Sequence, residues 1–410
     1  MTKHICLFCG AELTHIFADL GTCPPSNAFL SADQCDGPEV FYPLQAWVCS
    51  ECLLVQGPHF KRPQDIFTHD YAYYSSYSRS WVSHARQYVQ SVAKRFNLGK
   101  DSLIVEVGSN DGYLLQHAVD LGIPCLGIDP SAGAASVAQT KGIPTITDFF
   151  TTKLAAKLLE RGKQADILCG INVFAHVPDI NDFVAAMHLL LKPNGVMTME
   201  FPHLLRLVED VQFDTIYHEH YFYYTLRCVK QIVEKHGMRL FDVEDLPTHG
   251  GSLRIYACPS GATHEATGNI EQVLATEQAA GMYDLSFYLN FQKKIDHVRF
   301  DLMRFLMQAK EEKKLVVGYG AAAKGNTLIN YFGIRSDLLP FVVDASPHKQ
   351  GTFLPGSRIP VVEEQRLKDE KPDYVLILPW NLKEEISEQL DYIREWGGKF
   401  VTAIPKLNIW

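Results

Sequence analysis

The chain has no apolar run approaching the ~20 residues that a membrane-spanning helix needs. Its first ten residues, MTKHICLFCG, lack the apolar core of a secretory leader. It has no surplus of positive charge: 38 lysines and arginines stand against 47 acids, a net charge of −9. Nothing electrostatic therefore favours nucleic acid as a partner. It also has no low-complexity segment. These absences lead to the expectation of a cytoplasmic globular protein that engages neither membrane nor nucleic acid. In that compartment its ten cysteines are expected to be thiols and metal ligands, not disulfides. What is present is ordinary for a folded protein: 410 residues, 47% hydrophobic, enough for two or three domains.

The chain divides into three units. Residues 1–65 are rich in Cys and Pro and show no long helical period. Residues 66–281 begin with a helical bridge, 66–100, where Trp81, Val82, Ala85, Val89, Val92 and Phe96 recur at helical spacing. After it, β-rich runs such as SLIVEVGS, PCLGID, ADILCGIN and GVMTMEF alternate with helical stretches, the pattern of an α/β domain with a largely parallel sheet. Residues 282–410 open with a connecting helix over 282–312. The βα rhythm then restarts in KLVVGYG, LPFVVDA, DYVLILPW and KFVTAIP.

Cys6-x-x-Cys9 and Cys49-x-x-Cys52 are two zinc knuckles separated by 39 residues. Zinc takes four thiolates tetrahedrally, and two such pairs complete the shell with no open position, so the site is expected to be structural. Cys23, Cys35 and His59 are spare ligands, and Cys125, Cys169, Cys228 and Cys258 read as core thiols.

The segment IVEVGSNDGYLLQ ends a buried strand at Val107, turns through Gly108–Gly112 and enters a helix. Glycines there let backbone N–H groups approach a ligand. An acid, Asp129, follows one strand later, where α/β sheets commonly hold ribose hydroxyls. The C-terminal unit has a related loop, VVGYGAAAKGNT, with Asp344 after its next strand. Tyr319, Lys324 and Asp344 are its candidate substrate contacts, with Lys324 meeting a phosphate. The alternative is a degenerate unit that only packs.

The run QFDTIYHEHYFYYT (212–225) sets two histidines around a glutamate among aromatic residues. It can be a metal site, an acid–base centre or a polar seam in a core. Its histidines lie at i and i+2 and diverge on either kind of element, and no third and fourth ligand lie nearby in the sequence, which weighs against metal.

Around the first glycine loop the sequence resembles the S-adenosylmethionine-dependent methyltransferases, whose first motif is matched by Glu106, Gly108 and Gly112. The resemblance implies donor binding by these residues with Asn110 and Asp129, and places Asp148 of TDFF near the adenine. Taken in order, the CxxC pairs, DYAYYSSYS, VEVGSNDG, FAHVPD, IYHEHYF, HGGSLR, GYGAAAKGNT and VVDASPHKQGTFLPGSRIPV resemble one family over nearly the whole chain, the nucleotide-sugar C-methyltransferases. The resemblance implies a zinc-binding domain, a central Rossmann-like methyltransferase domain and a C-terminal Rossmann-like α/β domain.

It further implies S-adenosylmethionine and structural zinc as cofactors. The implied substrate is a nucleotide-linked 4-keto-6-deoxysugar, methylated at C-3 through a base-generated enolate. It makes His220 the base, with Tyr217, Glu219, His176 and Tyr71 in the pocket, Tyr73 competing with Tyr71, and no chemical role for His218. Two other readings stay open at this point: an NAD-dependent oxidoreductase working on the C-terminal unit, and a zinc-containing scaffold with an inactive core.

Overall fold

The computed structural model describes residues 3–57, 60 and 74–410. Tyr71, Tyr73 and His59 lie outside the described residues.

Three N-terminal strands, β1 (His15–Cys23), β2 (Tyr42–Val48) and β3 (Val55–Gln56), pair antiparallel in that order. The Arg79–Arg95 helix follows, as its spacing implies, with Ser78 accepting from the Trp81 N–H at its start. It buries Ala85, Tyr88, Val89 and Val92.

The central unit is built on β4 (Ile104–Val107), β5 (Cys125–Ile128), β6 (Thr145–Ile146), β7 (Ala165–Ile171) and β8 (Leu191–Pro202), all parallel in the order 6-5-4-7-8. β4 is buried along its whole length, as expected of a strand covered on both faces. A short strand, β9 (Phe222–Tyr223), comes next in the chain. An antiparallel hairpin, β10 (Met238–Leu246) and β11 (Ser252–Pro259), then extends the sheet beyond β8.

β9 does not join that sheet. It pairs with β3, Val55 opposite Tyr223 and Gln56 opposite Phe222, and becomes the fourth strand of the N-terminal sheet. The pairing continues through Gly57, whose N–H donates to the Tyr221 carbonyl at 2.9 Å.

The connector differs from the single helix expected over 282–312. It is two helices, Leu285–Leu289 and Phe291–Glu311, broken at Asn290. The Asn290 side chain donates to the Ser286 carbonyl at 3.1 Å, a local bond of the kind that competes with the helical ladder. The longer helix buries Phe291, Ile295, Val298, Leu302 and Leu306 on one face. Phe291 stacks on Phe17 of β1 with ring centroids 4.6 Å apart, so the connector ties the N-terminal sheet into a core shared with the C-terminal unit.

That last unit is a six-stranded sheet in the order 14-13-12-15-16-17: β12 (Val316–Tyr319), β13 (Val342–Val343), β14 (Val361–Val362), β15 (Tyr374–Ile377), β16 (Lys399–Thr402) and β17 (Asn408–Ile409). All its pairings are parallel except β16 with β17.

Candidate functional site

The sulfurs of Cys6, Cys9, Cys49 and Cys52 all lie within 4.8 Å of one another. Cys6 and Cys52 are 3.7 Å apart and Cys9 and Cys49 are 3.5 Å apart. A tetrahedral zinc with Zn–S bonds of about 2.3 Å spaces its sulfurs by about 3.8 Å. The four thiols therefore fit one zinc ion with a closed shell. Gln56 of β3 donates to the Cys6 sulfur at 3.2 Å and accepts from the Leu7 N–H at 2.9 Å. One side chain thus connects the cysteine cluster to the strand that pairs with β9.

At the carboxyl ends of the central parallel strands lies a cleft of about 590 Å³, the usual ligand position in such sheets. Gly108, Asn110, Asp129 and Asp148 line it. Gly108 and Gly112 have φ of +69° and +77°, which an ordinary side chain resists. Asn110, also left-handed at +47°, anchors the loop twice: its N–H donates to Asp129 Oδ2 at 2.8 Å, and its Oδ1 accepts from the Ser75 N–H at 2.9 Å. The glycines have unlike reasons. A Cβ on Gly112 would meet Ile143 Cδ1 at 2.4 Å, so this glycine serves packing and is not among the cleft's lining residues. Glu106 is likewise absent from the lining. It is fully buried in β4, and burial, reinforced by the charges of Asp129 and Asp111, pushes its carboxyl well above the ordinary range.

Asn172 is a cleft residue that the sequence reading missed. It follows β7 with φ +55°, and its buried Oδ1 has no hydrogen-bond partner among the described residues. An orphaned acceptor and two carboxylates, Asp129 and Asp148, around a glycine turn fit a nucleoside that carries amino and sulfonium groups.

Tyr217, Glu219 and His220 of the run 217–221 line the same cleft. His220 Nδ1 faces the Thr215 carbonyl at 2.9 Å. A carbonyl only accepts, so Nδ1 carries the proton and Nε2 the lone pair. The Tyr217 hydroxyl lies 2.8 Å from Nε2 and donates to it. Burial holds the imidazole well below the usual histidine range, with His176 adding to the effect. His176 stands with its ring centroid 4.7 Å from that of His220. Its Nδ1 donates to the Glu219 carbonyl at 2.8 Å, and burial lowers it to about 4.

The Glu219 carboxylate accepts from Asn27 of the N-terminal unit at 2.9 and 3.2 Å. His218 points elsewhere: its Nε2 donates to the Pro43 carbonyl at 3.2 Å, and it is not among the lining residues. His176, Tyr217, Glu219 and His220 thus share one cleft with the glycine loop.

The C-terminal unit closes the cleft with Ala322, Ala323, Lys324, Lys349 and Asn381. Its glycine loop repeats the first in geometry. Asp344 Oδ2 accepts from the Ala321 N–H at 2.7 Å and Oδ1 from the Ser346 N–H at 2.8 Å. Asp129 does the same with Asn110, at 2.8 Å, and with Ser131, at 2.9 Å. Asp344 lies outside the cleft lining, and so does Tyr319. Tyr319 sits in the core of the C-terminal unit, where Gln389 donates to its hydroxyl at 3.0 Å. Of the three residues expected to meet substrate from this unit, the cleft receives Lys324.

His249 was also not singled out from the sequence. It lines the cleft from the turn between β10 and β11, with φ +54°. Its Nε2 is buried without a hydrogen-bond partner among the described residues, and burial lowers the ring to about 4. Thr248 beside it donates to Glu200 at 3.0 Å, and Glu200 also takes His84 and Arg254, each at 2.9 Å.

Three family models match the chain: "Putative zinc binding domain" over residues 6–67, "Methyltransferase domain" over 81–243 and "C-methyltransferase C-terminal domain" over 247–405. The C-methyltransferase NovU of Streptomyces niveus is 33% identical over 404 residues, 98% of this chain and 96% of that protein. A ubiquinone biosynthesis O-methyltransferase of Bartonella quintana (strain Toulouse) is 30% identical over 95 residues, 23% of this chain and 38% of its own length. Among solved structures, the magnesium protoporphyrin IX methyltransferase of Synechocystis PCC 6803 with bound SAM matches 44% of this chain and 82% of that one, at 17% identity and a TM-score of 0.33.

Proposed function

The chain belongs to the C-methyltransferases, and from that premise we propose that its acceptor is a nucleotide-linked 4-keto-6-deoxysugar, methylated at a carbon beside the keto group. C-3 is the position that the family resemblance implies. The observation that carries this reading is the state of His220: a buried, neutral imidazole with Nδ1 committed to Thr215, and with its lone pair on the cleft shared with the glycine loop. Methylating carbon requires a carbanion equivalent, and a keto group acidifies the neighbouring C–H enough for an imidazole to take the proton.

When bound, S-adenosylmethionine supplies an electrophilic methyl group on a sulfonium. Gly108, Asn110, Asp129, Asp148 and Asn172 are the residues that hold it. His220 Nε2 removes the proton beside the keto group. Tyr217, which hydrogen-bonds Nε2 in the structure, shifts its hydroxyl to the substrate oxygen as the proton arrives. Charging a buried imidazole is costly in isolation, but here the enolate forms beside it and offsets the cost. With the donor bound, the enolate carbon would receive the methyl group, and the S–CH3 electron pair would stay on sulfur as the thioether of S-adenosylhomocysteine. His176 stands against His220 and restricts its ring. Glu219, fixed by Asn27, accepts a hydrogen bond from a sugar hydroxyl.

The test is incubation with methyl-labelled donor and TDP- and GDP-linked 4-keto-6-deoxysugars. The product is read by mass spectrometry, with carbon NMR for the methylated position. A label on C-3 is expected. Label on a hydroxyl oxygen, or on no keto-sugar offered, overturns the substrate reading.

A further inference from the structure

Resting on that reading, we propose that Lys324 touches the keto oxygen of the substrate and carries its negative charge during proton abstraction, leaving the nucleotide phosphates to Lys349. Sequence spacing alone gives Lys324 to a phosphate; its surroundings point deeper. Among the described residues that line the cleft, Lys324 and Lys349 are the lysines. They are held differently.

Lys324 belongs to the base. Its Nζ donates to Asn381 Oδ1 at 2.8 Å and lies 4.8 Å from the centre of the Trp380 ring. Trp380 in turn donates its indole N–H to Asp214 Oδ2 at 2.9 Å. Asp214 sits in the turn Phe213–Thr215, whose Thr215 carbonyl fixes His220 Nδ1. The ammonium and the base are therefore referred to one three-residue turn, although they come from different domains. Lys324, His220 and His249 line the same cleft, and the Lys324 charge adds to the lowering of both histidines. Asp214 is the acid that acts on Lys324, and its Oδ1 has no hydrogen-bond partner among the described residues. Burial lowers Lys324 and raises Asp214 to about 6, so the charged form of each is poorly hydrated.

Lys349 belongs to the rim. It donates to the Ala321 carbonyl at 2.8 Å, lies 3.6 Å from Asp344 and keeps 27% of its side chain exposed. His348 beside it is exposed, with Nε2 3.4 Å from the Tyr77 hydroxyl. A partly exposed ammonium at the rim suits a diphosphate. A poorly hydrated charge held in the same cleft as the base suits an oxyanion that exists only in the transition state and the enolate. The electron pair of the broken C–H bond moves into a carbon–carbon double bond. The carbonyl π pair moves onto oxygen next to Lys324, and the proton goes to His220 Nε2.

The step can be observed without methyl transfer, as exchange of the carbon-bound proton of TDP-4-keto-6-deoxyglucose in D₂O with no methyl donor. In Lys324→Met, exchange at saturating substrate is expected to slow by about 10²–10³, the usual cost of one oxyanion donor. TDP affinity by calorimetry should stay within about twofold of wild type, and Lys324→Arg should recover part of the exchange. Lys349→Met should do the reverse, weakening TDP by about tenfold while keeping exchange at saturation. Normal melting temperatures and donor affinity show that the variants are folded.

The inference is overturned if Lys324→Met keeps exchange within about threefold, or loses TDP affinity tenfold or more, since then it holds a phosphate. A borohydride-trapped adduct on Lys324 also overturns it, by showing covalent chemistry. A wild-type enzyme that neither exchanges nor methylates the probe removes the substrate reading first, before any Lys324 comparison, and the inference with it.

Discussion

His220 and His249 are histidines kept uncharged by burial, and that has separate consequences for rate and for stability. For rate, His220→Ala should lower turnover by about 10²–10⁴, the range for losing a positioned base. Donor affinity by calorimetry should hold, because His220 is not among the residues assigned to the donor; a near-normal rate removes His220 as the base. For stability, His249 is lowered from 6.5 to about 4. Above pH 6.5 its ring is neutral whether folded or unfolded, and contributes nothing. Below 6.5 the unfolded chain takes up a proton that the folded ring refuses until about pH 4, so stability falls as pH falls through that window. The loss reaches at most about 3 kcal/mol at pH 4. His249→Asn tolerates the left-handed backbone and removes the titration. Its stability should fall less steeply than wild type between pH 6.5 and 4 in urea titrations, and parallel curves refute the assignment.

At this scale the sequence reading found residues that belong to motifs: Gly108, Asn110, Asp129 and the 217–220 run. It could not find Asn27, Asn172 or Asp214. Asn27 reaches Glu219 across 192 residues, and nothing local marks it. Asn172 did carry a weak signal, a polar residue closing a buried strand, which its left-handed φ makes meaningful only in three dimensions.

Elements were more legible, because hydrophobic period and turn chemistry act locally. β4, β5, β7, β12, β13, β15 and β16 fall within the quoted β-rich runs and β8 overlaps one, whereas β6, β10, β11, β14 and β17 lie outside them; the Arg79–Arg95 helix lies within its periodic segment. The break at Asn290 escaped, since a single side chain bonding back to Ser286 leaves the apolar spacing on either side intact. The turn Thr248–Gly251 shows what a glycine pair can mean. Gly250 has φ +90°, and a Cβ there would meet Trp380 Cη2 at 2.6 Å and Gln212 Nε2 at 2.8 Å. Gly250→Ala should therefore cost about 1–3 kcal/mol from backbone strain alone. It should also push Trp380 off the turn and raise KM for the acceptor, with both effects read by denaturant titration and steady-state kinetics. An unchanged KM would mean that Trp380 does not help close the cleft.

In the whole molecule the three units are interleaved. The zinc-binding lobe supplies Asn27 to the cleft and pairs its β3 with β9, two residues after His220. Removing zinc should thus stop catalysis although no zinc ligand touches the cleft. Structural zinc contributes an apparent 10–16 kcal/mol in small domains, so a lobe without it is expected to unfold. Titrating a chelator while following zinc by mass spectrometry and turnover in the same samples should show both falling together. Full activity in zinc-free protein would show that the lobe holds β9 without its metal. The sequence made the zinc ligands plain by spacing, but not this pairing, because β3 and β9 are two residues each and too short to carry a period.

That pairing also sets an order of events during synthesis. The cysteine cluster is complete once Cys52 has emerged, but the sheet that it stabilises lacks its fourth strand until Tyr223 follows. At 5–20 residues per second the gap between the two is on the order of ten to thirty seconds. Over that interval β3, paired only with β2, keeps one open edge on the nascent chain, and early capture of the metal is expected to hold the lobe together until β9 arrives.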